Sequence, residues 1–574
     1  MQKENLLQVS GDISIVLCGP AGAGIQTVEQ LLVKIFQQAG YHIFATKEYM
    51  SRVRGGLNST TIRVGSGPVR GLVDRIDLLI PLSKGAIAHV RKRISRQTLV
   101  LCEPEHLDDS VSDVRHIEVP FTQIAKEIGD KLFSNIVAVG VVGAILSVDL
   151  SVMSDFIATR FAGKDEKLTN GNIEALKKGH EIGSELVRSG TVQVEIQADE
   201  AVKGDMLING VEAVGLGALA GGCNFIGAYP MSPSTGLLTF LAKHGKQFGI
   251  AVEQAEDEIA GINMGLGAWY AGARAVASTS GGGFALMTEG LSLAGMIESP
   301  LVIHVAQRPG PATGLPTRTG QEDLNLVLYA GHGEFARAVF APGTLQEAYE
   351  LTAQAFEVAD RFQVPVFVLT DQYFVDTYYN TPRFEVTDGG IEHGFVRTEK
   401  DYRRYALTED GLSPRGIPGY GEGLVVVDSD EHDEHGHITE DLEIRVRMVD
   451  KRLGRRRLLA EAVVEPTLWP DKDYETLVLC WGSTLSVVQE AIGVLGREGV
   501  SLLHFGQVWP LPKNLKDRLE RAKKLICLEG NATGQFAALA RRETGVDIVE
   551  KILKYNGLQF TVEEAAASLG KIIG

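Results

Sequence analysis

Cysteine is scarce. Five residues in 574 carry a thiol, Cys18, Cys102, Cys223, Cys480 and Cys527, and no two form a C-x-x-C pair. That spacing excludes a typical iron–sulfur or zinc site built from this chain alone. Scattered cysteines in a large chain read as reduced core thiols, with the cytoplasm as the expected location. Positive charge is also short: 56 Lys and Arg stand against 73 Asp and Glu, a net charge of −17. A general nucleic-acid binder or a rider on anionic membranes needs the opposite field, so neither partner is expected. No apolar run reaches the ~18 residues of a membrane helix. Met1 to Asp12 has no basic-then-apolar leader, so no targeting segment is expected.

Glycine is plentiful, 65 residues, which calls for many tight turns or close backbone approaches. At roughly 150 residues per domain the length allows about three or four domains. The apolar stretch Ser14–Cys18 runs into Gly19-x-x-Gly22-x-Gly24 and then an amphipathic helix from Ile25 to Ala39, the way an α/β layer begins. Strands are predicted at Ile43–Ala45, Thr60–Val64, Leu78–Pro81 and Thr98–Cys102, and helices at Ile136–Leu146 and Asn172–Arg188. Residues 191–205 are polar without a period and read as a linker. From 206 to 380 strands and helices alternate, implying parallel strands covered on both faces. Residues 381–472 are charged and Gly/Pro-punctuated, and read as an insert. Residues 473–574 return to α/β, with a strand at Thr476–Cys480 and helices at Leu485–Leu495 and Gln535–Thr544. The expected fold class is α/β, with several doubly wound sheet domains.

Three segments carry chemistry. In Val252 to Ala268 a strand ends in acids and a helix rich in Ala and Gly follows; a helix dipole stabilises such acids, so a capped helix accounts for them too. In Ala228-Tyr229-Pro230-Met231-Ser232-Pro233-Ser234-Thr235, two prolines fix the backbone and hydroxyls face the carboxyl end of a sheet, where ligands of open α/β sheets sit. A Pro-rich turn with helix capping by Ser234 or Thr235 is the plainer account. The third, Gln307 to Leu324, is a long Gly/Pro loop after a strand, and such loops are usually functional or mobile.

Glu258, followed nine positions later by Gly267 along a small-residue helix, resembles the pyrimidine-binding domain of thiamine diphosphate enzymes. The run from Tyr229 resembles the tyrosine-proline-x-threonine-proline-serine signature of the 2-oxoacid:ferredoxin oxidoreductases, with Ser232 in the threonine's place. The loop around Arg318 is similar to one in the alpha chain of that family, and Gly281-Gly282-Gly283 has glycine where family members often have proline at 282. The resemblance covers almost the whole chain: 1–190 as a gamma-like domain fused ahead of an alpha-like part with a transketolase C-terminal-like domain. It implies that Glu258 hydrogen-bonds N1′ of the aminopyrimidine, with Tyr229, Pro230, Gly281 and Gly283 around the cofactor. Burial of a carboxyl beside an aromatic base suits proton relay. Arg318, Thr317 and Ser232 are implied at the 2-oxoacid, Arg318 on its carboxylate and keto group. Lys47 or Arg52, in the arginine-glycine-glycine loop, are candidates for a distal carboxylate, although a solvated loop accounts for either. Gly19, Gly22 and Gly24 are candidates for coenzyme A; no Walker lysine or suitably spaced acid supports an NTPase or dinucleotide site there.

The family grips the cofactor's diphosphate through Mg²⁺ with a Gly-Asp-Gly motif, and this chain has none; Gly129-Asp130-Lys131 fails. A beta partner subunit is therefore implied, bringing Mg²⁺, the diphosphate site and a [4Fe–4S] cluster, in a heterodimer or dimer of heterodimers. The implied reaction is oxidative decarboxylation of 2-oxoglutarate to succinyl-CoA with two one-electron transfers to ferredoxin, reversible in principle. A pyruvate or branched-chain 2-oxoacid enzyme and a non-catalytic scaffold subunit are the alternatives. Asp428 to His437 offers metal-ligand types in a charged stretch, but reads as a solvated loop, and no metal site is expected. Lys451, Arg452 and Arg455 to Arg457 are expected to pair with those acids or with a partner.

Overall fold

The computed structural model describes residues 7–51, 56–107, 114–163, 165–386 and 390–574; Arg52 lies outside them. Two compact units emerge. One comprises Met1–Ile208 with Thr377–Arg383, the other Asn209–Asp376 with Phe384–Gly574. This division is coarser than the five segments read from the sequence. Among the described residues no helix is long and apolar enough to cross a membrane. All five cysteines are buried free thiols, and burial pushes Cys18 and Cys102 up to about 12.

The first unit is built on a mixed sheet. Its strands run in the order Arg115–Glu118, Leu99–Cys102, Leu78–Pro81, Asp12–Pro20, Leu57–Gly65, His42–Glu48, Tyr378–Thr381 and Met206–Asn209. Asp12–Pro20 pairs in parallel with Leu78–Pro81 but antiparallel with Leu57–Gly65. The apolar faces of helices Ile25–Gln38 and Ser134–Ile145 join one core with these strands. Gly140 and Gly179 let helices Ser134–Ile145 and Glu166–Arg188 touch backbone to backbone, since a Cβ at Gly179 would collide with the Val137 carbonyl. Within 191–205, expected as a linker, Val192–Glu195 pairs in parallel with Leu7–Ser10. Four residues are too short to announce a strand whose partner lies so far back in the chain.

The second unit holds the parallel sheet expected from the alternation. Its order is Ala251–Gln254, Phe225–Ala228, Ala275–Thr279, Leu301–Gln307, Pro365–Asp371 and Ala338–Phe340, closed by the antiparallel Gln507–Trp509. Leu301–Gln307 and Pro365–Asp371 are buried along their whole length, as strands covered on both faces must be. A second sheet carries Thr476–Trp481, Val500–Phe505, Lys524–Glu529 and Glu550–Leu553 in parallel.

Residues 381–472 are not only solvated chain. Helix Leu442–Glu461 delivers Lys451 and Arg455 to Glu298, which is fully buried; Lys451 Nζ stands 2.6 Å from Glu298 Oε2 and Arg455 bonds the same oxygen. Burial pushes the Glu298 carboxyl up, but Arg455, Lys451 and Arg404 override it and hold it at about 2. Arg452 instead pairs with Glu431 of the acidic stretch, at 2.9 Å. His432 in that stretch is buried against the Tyr405 ring.

Candidate active site

The carboxyl ends of the main parallel strands converge on Glu258. Strand Ala251–Gln254 stops at the acids, and Asp257 caps the next helix by accepting from the Ala260 N–H at 2.8 Å. Glu258 is the first helical residue and is 3% exposed. Gly261 lets this helix lie on strand Phe225–Ala228: a Cβ there would stand 3.3 Å from the Gly227 carbonyl. Gly267, which the family spacing singles out, is exposed and meets nothing within 4 Å. The glycine that matters to the acid is Gly283. A Cβ there would come within 3.0 Å of both Glu258 Oε1 and Thr279 Oγ1.

Glu258 Oε1, Thr279 Oγ1 and Ser280 Oγ are all buried, and among the described residues none has a hydrogen-bond partner. An unmade hydrogen bond on a buried polar atom is costly, so three together mark a place prepared for an incoming polar group. A flat heterocycle with ring nitrogens and an amine fits this donor and acceptor set, and Gly283 leaves room for the Glu258 carboxyl and the Thr279 hydroxyl that would face it.

The loop from Gln307 supplies two further charged groups, Arg308 and Asp323. Arg308 donates from Nη1 to the Ser232 carbonyl at 2.7 Å. Burial lowers its pKa, against the charges of Asp323 and Glu258, which raise it. Asp323 holds its carboxyl against Gly281, where a Cβ would collide with it, and Asp323 Oδ2 has no hydrogen-bond partner among the described residues. Burial first, then the neighbouring Glu322, pushes Asp323 up to about 7, while Arg308 pulls the other way. No sequence pattern marks these two; the folding of the loop back over Gly281 creates their environment.

Of the Tyr229–Thr235 run, Tyr229 and Ser232 are exposed and Pro230 is half-buried. The Ser232–Pro233 bond is cis. Ser234 occupies the cap position but makes no capping bond; its hydroxyl donates to Met231 O at 2.7 Å.

Arg318 and Thr317 are half-buried further along the loop. Their segment is fastened to the carboxyl edge of the C-terminal sheet. The Thr319 N–H donates to Gly557 O at 3.0 Å and its hydroxyl to Asp371 Oδ1 at 3.0 Å. Gln321, 2% exposed, bonds Trp481 O through Nε2 at 2.8 Å and accepts from Gly530 N–H at 2.8 Å. Gly557, at φ +84°, presses on the Arg318 stem: a Cβ there would stand 3.1 Å from Arg318 Cβ.

In the first unit Lys47 pairs with Glu29 at 3.3 Å and lies 5.0 Å from the Tyr378 ring centroid. Gly24, at φ +86°, opens helix Ile25–Gln38, and the Asn135 side chain occupies the place a Cβ would take. Gly19 packs on Leu82, whereas Gly22 has open space beside it.

Known proteins share this organisation. The family described as pyruvate flavodoxin/ferredoxin oxidoreductase, thiamine diphosphate-binding, matches residues 216–451. Pyruvate ferredoxin/flavodoxin oxidoreductase matches residues 14–182. A 2-oxoacid:ferredoxin oxidoreductase subunit alpha from a Sulfolobus species is 30% identical over 98% of this chain and 97% of its own. The 2-oxoglutarate oxidoreductase subunit KorA of Mycobacterium tuberculosis is 32% identical over 75% of this chain and 67% of its own. The structure of 2-oxoglutarate:ferredoxin oxidoreductase from Magnetococcus marinus, with 2-oxoglutarate, coenzyme A and succinyl-CoA bound, superposes with a TM-score of 0.92 at 28% identity, covering 98% of this chain and 100% of that one. A buried acid at the carboxyl end of a parallel sheet, within a thiamine diphosphate-binding domain, defines the class. The chain belongs to the 2-oxoacid:ferredoxin oxidoreductases, a family of thiamine diphosphate-binding enzymes.

Proposed function

We propose that this chain is the fused gamma–alpha subunit of a coenzyme A-dependent 2-oxoglutarate:ferredoxin oxidoreductase, forming succinyl-CoA and CO₂ while reducing ferredoxin. The observation that carries this reading is Glu258 Oε1, buried without a hydrogen-bond partner among the described residues and backed by Gly283. Bound thiamine diphosphate supplies the carbanion-stabilising chemistry of 2-oxoacid decarboxylation. Glu258 holds a proton between its Oε1 and the aminopyrimidine, and low exposure keeps water from competing for it. Arg318 takes the substrate's 1-carboxylate in its paired donors, and the Ser232 hydroxyl stands at the same end of the sheet. Gly22 offers an open backbone at a helix start for coenzyme A.

The absence of a Gly-Asp-Gly motif and the isolated cysteines support a beta subunit that brings the Mg²⁺–diphosphate grip and the [4Fe–4S] cluster. Tyr229, Ile259, Leu286 and Leu315 are exposed on segments around the acid, and large exposed apolar side chains gathered at a site favour a docking partner. The preference for 2-oxoglutarate over pyruvate draws on the relatives named for that substrate.

The test is turnover of 2-oxoglutarate and pyruvate by the complex, together with Glu258→Gln. A fall of roughly a hundredfold or more is expected on losing a proton-transfer group. A variant with full activity would identify a scaffold, and faster turnover of pyruvate would remove the substrate assignment.

A further inference from the structure

Away from the acid, the second unit contains a cavity of about 600 Å³ between helix Leu442–Glu461, helix Gln535–Thr544 and the chain around 328–337 and 509–511. Its size is that of a small-molecule site. Three arginines line it: Arg337, Arg456 and Arg542.

Arg337 is 7% exposed. Its Nη1 donates to Val327 O at 2.9 Å, and its guanidinium stands 4.5 Å from the Phe335 ring centroid. Among the described residues no carboxylate pairs with it. Burial pushes it down to about 10, and the nearby charge that acts on it, Arg456, pushes the same way. Burying a cation without a counter-ion costs more than one carbonyl and one ring return. Arg542 is engaged differently: it pairs with Glu543 at 2.7 Å and bonds the Tyr329 hydroxyl. It also stands 5.3 Å from the Tyr329 ring and 5.5 Å from that of Trp509. Glu334, the other acid of the lining, is exposed.

We propose that this cavity binds an organic phosphate of nucleotide size, its phosphate held by Arg337 and Arg456 and its ring beside Trp509 and Tyr329. Guanidinium donors match phosphate oxygens in pairs. A lone inorganic ion would fill a small part of the space and leave the aromatic wall unused. Neither Arg337 nor Arg456 has a part in the reaction assigned above, so the site is separate from it.

The experiment is calorimetric titration of the full chain with ADP, repeated with inorganic phosphate at equal ionic strength. Saturable ADP binding, at least tenfold tighter than inorganic phosphate, is expected. Arg456→Gln should weaken it tenfold or more, and Arg337→Met should abolish it. Arg456 is exposed, so its variant keeps the test decisive however Arg337→Met folds. ADP affinity left unchanged in the folded variants overturns the proposal, as do equal affinity for ADP and inorganic phosphate and the absence of saturable ADP binding.

Discussion

Replacing Gly283 with alanine adds one methyl group to the wall behind Glu258. The new Cβ would lie 2.9 Å from Glu258 Cδ and closer still to Oε1. Ordinary contact begins at 3.4 Å and Oε1 stands at 2.4 Å, so the carboxyl must retreat by about 1 Å or the short helix carrying Gly283 must move away. Catalytic groups need holding to about 0.5 Å, and misplacement by about 1 Å costs on the order of a hundredfold. The expected loss in kcat is therefore about ten- to a hundredfold, with a stability cost of about 1–3 kcal/mol from overpacking. The assay is oxidation of 2-oxoglutarate by the purified complex with a one-electron acceptor, alongside a thermal melt and a thiamine diphosphate titration. A Gly283→Ala enzyme that folds and keeps kcat within twofold of the parent would refute the reasoning, because the carboxyl would then tolerate displacement.

Three further outcomes follow from the packing. Asp323→Asn should stabilise the protein at pH 8 and leave it unchanged near pH 4: a carboxyl raised in the fold from 3.8 to about 7 costs stability that is absent below the first value and grows as pH rises through the second, up to about 4 kcal/mol. Parallel melts of parent and variant across that range check it; a constant difference contradicts it. Glu298→Gln strands Lys451 and Arg455, whose side chains are each 2% exposed, and should cost about 3–5 kcal/mol in denaturant unfolding. In the parent this carboxyl, held at about 2, contributes stability present above the ordinary glutamate value and lost as pH falls through 2. Gln321→Ala should raise KM for the 2-oxoacid severalfold with a smaller effect on kcat, because it loosens the segment that holds Arg318; an unchanged KM would separate that arginine from the C-terminal sheet.

The amino-acid pattern made the elements themselves plain. Leu485–Leu495 and Gln535–Thr544 form the predicted helices residue for residue, because an apolar stripe and a glycine just past each end leave little choice. Glu258 is singled out in the sequence by its spacing to Gly267, where an added Cβ would meet nothing within 4 Å among the described residues. The glycine that presses on the acid, Gly283, follows a different strand, and only the sheet order brings the two together. Arg308 and Asp323 were not legible as a pair for the same reason: 15 positions apart, they meet because the loop between them folds back. The charged stretch 381–472 reads as an insert, with Lys451 and Arg455 expected to pair with the acids of Asp428 to His437 or with a partner. Glu298, which neutralises Lys451 and Arg455, belongs to a distant segment, and no local reading of charge finds it.

The C-terminal sheet holds a loop of this chain where a ligand would otherwise sit. In open parallel sheets the crevice at the strands' carboxyl ends is the usual ligand site. Here those ends are already engaged: Trp481 and Gly530 bond Gln321, and Gly557 bonds Thr319. Gln535 at the next helix start donates to Glu322 O at 2.7 Å and accepts from Asn325 N–H at 2.8 Å. The occupant of the crevice is thus a piece of this chain, the segment following Arg318. Buried backbone groups must be satisfied, so a Gly/Pro loop that would otherwise sample many conformations is fixed immediately after one arginine. Rigid support of a binding side chain lowers the ordering cost of binding, so under the role proposed for Arg318 the domain would act on the reaction through the loop it holds.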